Sequence, residues 1–547
     1  MPWAQVYDPV KAPWLSTLLA ALPIIVLLGG LAFLKLKAHV AALAGLSASV
    51  LISLLAFRMP ADKTLLSTGF GAAYGLFPIG WIILNAIFLY ELCQDRGAIQ
   101  VLRENMAGIT ADRRLQLLLI AFSFGAFFES AAGFGTPVAI TAALLIGLGF
   151  PPLQASGLSL IANTAPVAYG ALGTPIVALA AVTGLDLHQL SAMVGRQLPF
   201  FSVLVPFWLL AVFCGLGKMK EVWPAALTAG LSFAIPQALI ANFHGPWLAG
   251  VVSSLISITA LITLFKFWKP KKIYSPEEIN RGDLAQNKQS ALNQRALLAA
   301  AAPWLVLSLV IFIWGIPQFK KLLDGILAPS LAVPGLHQQI LRMPPVSPAP
   351  APEPAVFRFN FLSFTGTGIL VAAIISGLMM KFSLKRMLQV YWKTLNRVRF
   401  SLLTVAAMLA LGYVTRYSGM DATLGLAFAR TGVLYPFFGT MLGWLGVALT
   451  GSDTSSNVLF GSLQKITAQQ LGLSPVLMAA ANSSGGVMGK MIDAQSIVVA
   501  STATRWYGHE GNILRYVFWH SLILASLVAL LIFLQAYVYP FVRLVIH

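Results

Sequence analysis

The sequence predicts an all-α, polytopic transmembrane fold, and three observations carry that expectation. Charged residues make up only 10% of the 547-residue chain, mean hydropathy is +0.80, and apolar stretches of span length recur along it. At 58% hydrophobic residues the chain has more apolar surface than a soluble core can bury. A hydrocarbon core of roughly 30 Å is crossed by about 20 apolar residues in a helix.

In chain order, the runs near 13–36, 39–57, 76–92, 198–215, 224–242, 246–267, 296–316, 361–380, 400–416, 433–450 and 513–538 read as spans. The first follows "MPWAQVYDPVKAPW" without a cleavage site, so it reads as a retained span and not as a signal peptide. The stretches 115–186 and 451–504 are apolar on average yet punctured by Gly, Pro and polar residues. Cys93 and Cys214 stand far apart with no metal or redox spacing and read as packing residues, and neither a metal nor a cofactor is expected.

A net charge of +18 raises the possibility of a nucleic-acid partner, but the basic residues fall in short blocks at the ends of apolar runs, not in a stripe with aromatic platforms. Membrane sidedness accounts for them: the positive-inside rule puts the loop 266–295, with Lys266, Lys269, Lys271, Lys272, Arg281, Lys288 and Arg295, in the cytoplasm. The same rule places 381–399 inside, with Lys381, Lys385, Arg386, Lys393, Arg397 and Arg399, so the Pro-rich loop 318–358 between them faces out, as does the N-terminus. That loop reads as an extended, semi-rigid spacer. The segment 97–116, with Arg103, Arg113 and Arg114, reads as an amphipathic helix on the cytoplasmic surface.

Two halves echo each other. "ANTAPVAYGAL" (162–172) and "ANSSGGVMGKM" (481–491) share Ala-Asn, a hydroxyl residue and a glycine at one offset, and each follows another polar break, "FESAAGFGTP" (128–137) and "TGSDTSSN" (450–457). Paired interruptions in corresponding positions point to inverted repeats with helix breaks or re-entrant hairpins inside the membrane. The expected organisation is therefore an N-terminal half, 1–265, with breaks at 128–137 and 162–175; a basic cytoplasmic loop, 266–295; and a C-terminal half, 296–547, with breaks at 450–457 and 481–493.

Backbone that leaves the helix inside a bilayer exposes N–H and C=O groups that lipid cannot satisfy, so such breaks mark a protein-lined cavity. A helix that begins there turns its positive end toward a ligand and favours an anion. The expected binding residues are Ser130, Gly133, Gly135 and Thr136 at the first break, Asn163 and Thr164 at the second, Thr454, Ser455 and Ser456 at the third, and Asn482, Ser483 and Lys490 at the fourth. Small residues admit close approach and the hydroxyls and amides suit a small carboxylate bearing a hydroxyl. Each glycine or serine taken alone is equally suited to helix packing.

Ionisable residues are sharper markers, because a charge at a helix centre costs roughly 2.5–3.5 kcal/mol on insertion scales. Of only 18 acidic residues, Glu129 and Asp453 fall in the paired breaks and Asp493 follows the fourth. These three are the candidates for proton coupling, with a static Lys490–Asp493 ion pair as the competing reading of the last. Arg196 and Arg416 sit at span ends, where packing roles suffice.

The strings "LTGSDTSSN", "FGAFFESAAGFGTPVAITAALL", "ANTAPVAYGALGTPI" and "AANSSGGVMGKMI", with the opening "YDPVKAPWLS" and the late "LQAYV", resemble the lactate permease family over nearly the whole chain. The resemblance implies a multi-pass protein of the bacterial inner membrane that carries a 2-hydroxymonocarboxylate, L-lactate, D-lactate or glycolate, together with a proton. It also implies a fold with two inverted repeats and membrane-embedded hairpins. The chain departs from the family pattern at Ser130, where glycine is usual, at Arg416, where asparagine is usual, and at Asp493, where serine is usual.

Other classes remain in view. A sodium- or proton-coupled carrier of other organic anions, such as dicarboxylates, fits the same breaks. A membrane-embedded enzyme is disfavoured because the chain has no HExxH motif, paired-aspartate motif or serine motif with a base. A channel would need a continuous polar path.

Overall fold

A computed structural model describes residues 2–32, 34, 36–101, 109–131, 133, 136–274 and 294–546. Among these residues ten helices are long and apolar enough to cross a membrane, or twelve if two bent pairs each count as one span.

The chain starts with a short strand, β1 (Trp3–Ala4), followed by α1 (Pro13–Ala32), α2 (Ala38–Leu55), α3 (Ala61–Tyr74) and α4 (Trp81–Asp95). The span expected at 76–92 is longer than its hydrophobic run: α3 and α4 join through a π-helical turn, Gly75–Gly80. Within that turn Phe77 is extended (φ −141°, ψ 113°). Pro78 follows it, and the ring of a proline forces the preceding residue out of the helical region.

The first set of broken helices comes next. It comprises α5 (Arg113–Ala131), α6 (Thr136–Gly147), α7 (Pro152–Ala162) and α8 (Gly170–Thr183). The α7 and α8 segments meet at 64°. The whole length of α5 is enclosed by protein, which corrects the expected surface helix at its start: Arg113 and Arg114 are buried, while 102–108 lies outside the described residues. Arg114 reaches Asp112 at 2.8 Å and Glu221 at 2.7 Å and donates to the Lys272 carbonyl at 2.9 Å. A fully paired guanidinium of this kind is how a buried arginine is tolerated. The interval from 275 to 293, which holds Arg281 and Lys288, also lies outside the described residues.

Four further helices surround this set: α9 (Leu187–Gln197), α10 (Pro199–Lys220), α11 (Trp223–Phe243) and α12 (Pro246–Phe267). They are followed by α13 (Gln294–Gly315) and α14 (Pro317–Ile326).

The Pro-rich loop is not an extended spacer. It folds into β2 (Ser330–Ala332), β3 (Ile340–Arg342), β4 (Ala351–Pro352) and β5 (Val356–Arg358), with β2 antiparallel to β5 and β3 antiparallel to β4. The first strand pairs parallel to β3, Trp3 opposite Ile340, so the N-terminus and this loop share one side of the membrane. Proline confined to an edge strand costs no ladder bond, as at Pro352.

After α15 (Thr365–Met379) runs α16 (Leu384–Ser418), 35 residues long. That is about 50 Å, more than a bilayer core. The expected span 400–416 is its second half, and its basic first half is tied to the end of α4 by Arg386–Asp95 (2.9 Å) and by Arg397–Glu91.

A second set of broken helices follows. After α17 (Met420–Phe428) come α18 (Tyr435–Thr450), α19 (Asp453–Gln470), α20 (Pro475–Gly489) and α21 (Ala494–Ala503), and the chain closes with α22 (Glu510–Tyr537). One expected break moves. Asn482 lies within the continuous helix α20, and the chain leaves helix later, from Lys490 to Asp493.

Candidate functional site

The breaks of the two sets converge. Glu129 and Gly133 from the end of α5, Val167, Gly170, Ala171, Thr174 and Pro175 from the start of α8, Gly451 to Thr454 between α18 and α19, and Lys490 and Gln495 around the last break line one cavity. Its volume is about 70 Å³.

Local sequence explains each wall. At α8, Ala171 (φ 41°), Leu172 (φ 57°) and Gly173 (φ 79°) all take left-handed backbone before Pro175 resumes the helix. Two consecutive non-glycine residues in that region are strained, and such strain persists where packing over-determines it, often at binding sites. At α19, Gly451 ends α18 with φ 72°, and the Ser452 hydroxyl then accepts from the Ser455 N–H at 3.2 Å as an N-cap. At α21, Asp493 caps the helix through the Ser496 N–H at 2.7 Å.

The carboxyls are held differently. Glu129 accepts one hydrogen bond from Asn163 Nδ2 at 3.0 Å, leaving the Asn163 carbonyl oxygen unpartnered. Asp453 accepts from Ser483 Oγ at 2.5 Å through Oδ2, while its Oδ1 is buried without a partner. A methyl group at Gly170 would stand 2.9 Å from Glu129, and one at Gly486 would collide with Asp453. Lys490 donates to the Gly451 carbonyl at 2.6 Å and pairs with Asp493 at 3.3 Å.

A buried amide chain leads away from Asp453. Asn457 donates to the Pro175 carbonyl at 3.1 Å, joining the two sets, and Asn482 donates to Asn457 Oδ1 at 2.9 Å. Gln464 donates to Asn482 Oδ1 at 3.2 Å and accepts from Tyr435 at 2.7 Å.

Of the residues expected from sequence, Glu129, Gly133, Asp453, Thr454 and Lys490 line the cavity directly. Asn163 and Ser483 stand one hydrogen bond behind, and Asn482 two residues behind, through Asn457. Ser130 bonds back to the Ala126 carbonyl at 2.7 Å under Gly250, Thr164 bonds to the Ile161 carbonyl at 3.0 Å, and Ser456 bonds to the Gly443 carbonyl at 3.1 Å. Ser455 contributes its N–H to the cap, and Asp493 lies behind Lys490. Gly135 lies outside the described residues, and Thr136 opens α6. The expected binding residues did not include Val167, Gly170, Ala171, Thr174, Pro175, Gly451, Ser452 and Gln495, which also line the cavity. The Gly-Thr-Pro string beside the second break was the available signal for Thr174 and Pro175.

Broken membrane helices from two sets, meeting at one polar cavity with ionisable side chains, define a polytopic transporter. Comparison with known proteins gives the family. A profile described as L-lactate permease matches residues 16–539. Glycolate permease GlcA of Escherichia coli (strain K12) is 48% identical, covering 98% of each chain. The L-lactate permease of Bacillus subtilis (strain 168) is 45% identical over 98% of this chain and 99% of its own. Among solved structures, the chain is similar to the YdaH transporter of Alcanivorax borkumensis, at 13% identity and a TM-score of 0.42, over 87% of this chain and 88% of that one. The chain belongs to the L-lactate permease family and is a multi-pass protein of the bacterial inner membrane.

Proposed function

We propose that this protein imports a small 2-hydroxymonocarboxylate, L-lactate, D-lactate or glycolate, in symport with a proton, through the cavity where the breaks meet. The names of its relatives support the substrate class. The observation that carries the coupling is the charge inventory of the cavity: Glu129, Asp453 and Lys490 line it, with Asp493 paired behind Lys490. Three carboxyls and one ammonium already share this low-dielectric space. Another anion is accommodated there only if a proton enters with it, because like charges desolvated together repel strongly.

In this reading Lys490 and the N-terminal end of α19 attract the substrate carboxylate, with Gly133, Gly170 and Gly451 giving it room. Thr454 and Thr174 present hydroxyls to the 2-hydroxyl group, and Glu129 or Asp453 takes the proton. Asn163 and Ser483 hold those two carboxyls in place.

The test is uptake of labelled L-lactate and glycolate into proteoliposomes carrying the purified protein. An acidic outside should drive accumulation above the external concentration without sodium. Uptake that only equilibrates would indicate a passive path, and accumulation that requires sodium would favour the organic-anion alternative.

A further inference from the structure

We infer that the outer face of the protein carries a second anion site, built from Arg342 and Arg416 and occupied by the chain's own Glu353, from which an incoming 2-hydroxymonocarboxylate displaces that carboxylate. The inference rests on the proposed substrate class.

The site lies at the opposite end of α8 from the cavity. The start of α8 lines the cavity, and its last carbonyls receive two cations, Arg416 Nη1 on Val182 at 3.2 Å and Lys465 Nζ on Thr183 at 2.7 Å. Cations at a helix C-terminus answer its partial negative charge. At 1.5 Å per residue the helical part of α8, from Thr174 to Thr183, spans about 15 Å.

Glu353 arrives from the folded loop just after β4. Its carboxylate bridges Arg342, on β3, and Arg416, on α16, the latter at 3.0 Å. Burial alone would raise its pKa, but the charges of Arg416 and Arg342 outweigh that and hold it below the usual carboxylate range, so it stands there as an anion. Two guanidinium groups around one carboxylate are the geometry with which proteins grip carboxylate ligands.

The cluster holds more positive charge than Glu353 cancels. Lys465 lies within electrostatic reach of Arg342, Arg416 and Glu353, and the other nearby acid, Asp421, is engaged by the hydroxyls of Thr415 and Ser462. The Arg416 Nε is buried without a hydrogen-bond partner. Access is one-sided: the Glu353 side chain is 3% exposed and Arg342 is 19% exposed, so an anion from outside meets Arg342 first.

Glu353 is thus a tethered competitor. While it is seated, the loop is pinned over α8 and α16. A substrate carboxylate that takes its place removes this ion-pair tie as it gathers at the outer mouth, leaving the Tyr417 hydroxyl on the Pro354 carbonyl at 2.8 Å and so loosening the loop as the anion is recruited.

Two measurements test this. The first is initial uptake of labelled L-lactate. Glu353→Gln should lower the half-saturating concentration about threefold, and Arg342→Gln should raise it about tenfold, the loss of one charge-assisted bond. Arg342 sits in the loop, so its variant leaves the membrane helices intact. A mere structural latch would move both variants the same way, and that result, or no shift in either, overturns the inference. The second is hydrogen exchange across 351–358 in the intact protein, which needs no transport. Millimolar L-lactate should speed it beyond chloride of equal ionic strength in the parent protein and not in Arg342→Gln, and equal rates with both anions also overturn the inference. Absence of accumulation by the parent protein would count against the proposed function, while the exchange result would still decide the site.

Discussion

At the scale of single residues, the two cavity carboxyls differ in how they are held, and the difference can be read out. Glu129 has a single amide donor, whereas Asp453 has a short hydroxyl bond on one oxygen and nothing on the other. Converting the true proton carrier to its amide keeps shape and removes titration. We expect Glu129→Gln or Asp453→Asn to lose pH-driven accumulation by at least tenfold while retaining exchange of internal for external substrate. Asp493→Asn should instead weaken transport of both kinds, because Asp493 caps α21 and holds Lys490. Accumulation and counterflow measured side by side on the three variants decide it, and accumulation lost in Asp493→Asn alone would reassign the proton. These residues were legible in the sequence because acidic side chains are scarce in it and costly in apolar segments. Ser130 and Ser456 were misleading for the opposite reason. Hydroxyls are common in membrane helices and bond to backbone carbonyls, Ser130 back to Ala126 in its own helix and Ser456 across to Gly443 in α18.

At the scale of elements, the site depends on how closely α18 and α20 approach. A Cβ at Gly443 would run into the backbone carbonyl of Asn482, and one at Gly485 into that of Thr440. Close contact of this kind is what small residues provide in membrane helices. Gly443→Val should push α20 away, carrying Asn482 and Ser483 with it. We expect about 1–3 kcal/mol of lost stability from overpacking, and a lower melting temperature in detergent with weaker substrate binding. A variant that melts and binds like the parent would show that this approach does not set the site. The spans themselves were readable from hydropathy, since length and apolarity are local properties. The folded outer loop was not: its proline-dense sequence hides two pairings within the loop, β2 with β5 and β3 with β4, and a third with β1, which is distant in sequence. The buried start of α5 was hidden because Arg114 looks like a surface residue until Asp112 and the distant Glu221 are placed beside it.

At the scale of the whole molecule, the proposed symport fixes the charge moved per cycle. One proton with one monocarboxylate carries no net charge, so the membrane potential, worth about 2.3 kcal/mol per charge per 100 mV, does no work on it. Uptake at a fixed pH gradient should therefore be unchanged when a valinomycin-clamped potassium gradient sets the potential from zero to inside-negative. A clear stimulation would rule out one-to-one stoichiometry. The sequence pairs two Ala-Asn strings, and the structure places them differently: Asn163 ends α7, while Asn482 lies inside α20. Sequence periodicity reports which residues correspond, but the exact point where each helix gives way depends on neighbours that only the assembled fold supplies.

The pairing of Trp3–Ala4 with Ile340–Leu341 also has a bearing on how the protein is made. Synthesis at roughly 5–20 residues per second puts tens of seconds between the two strands. For all that time Trp3–Ala4 must wait outside the membrane while the first set of broken helices is threaded into it, and the parallel pairing can form only once the outer loop has crossed. Completion of this small sheet would then serve as a midway timestamp in biogenesis, reporting that the first half and the outer loop have reached their intended sides before the second set of broken helices follows.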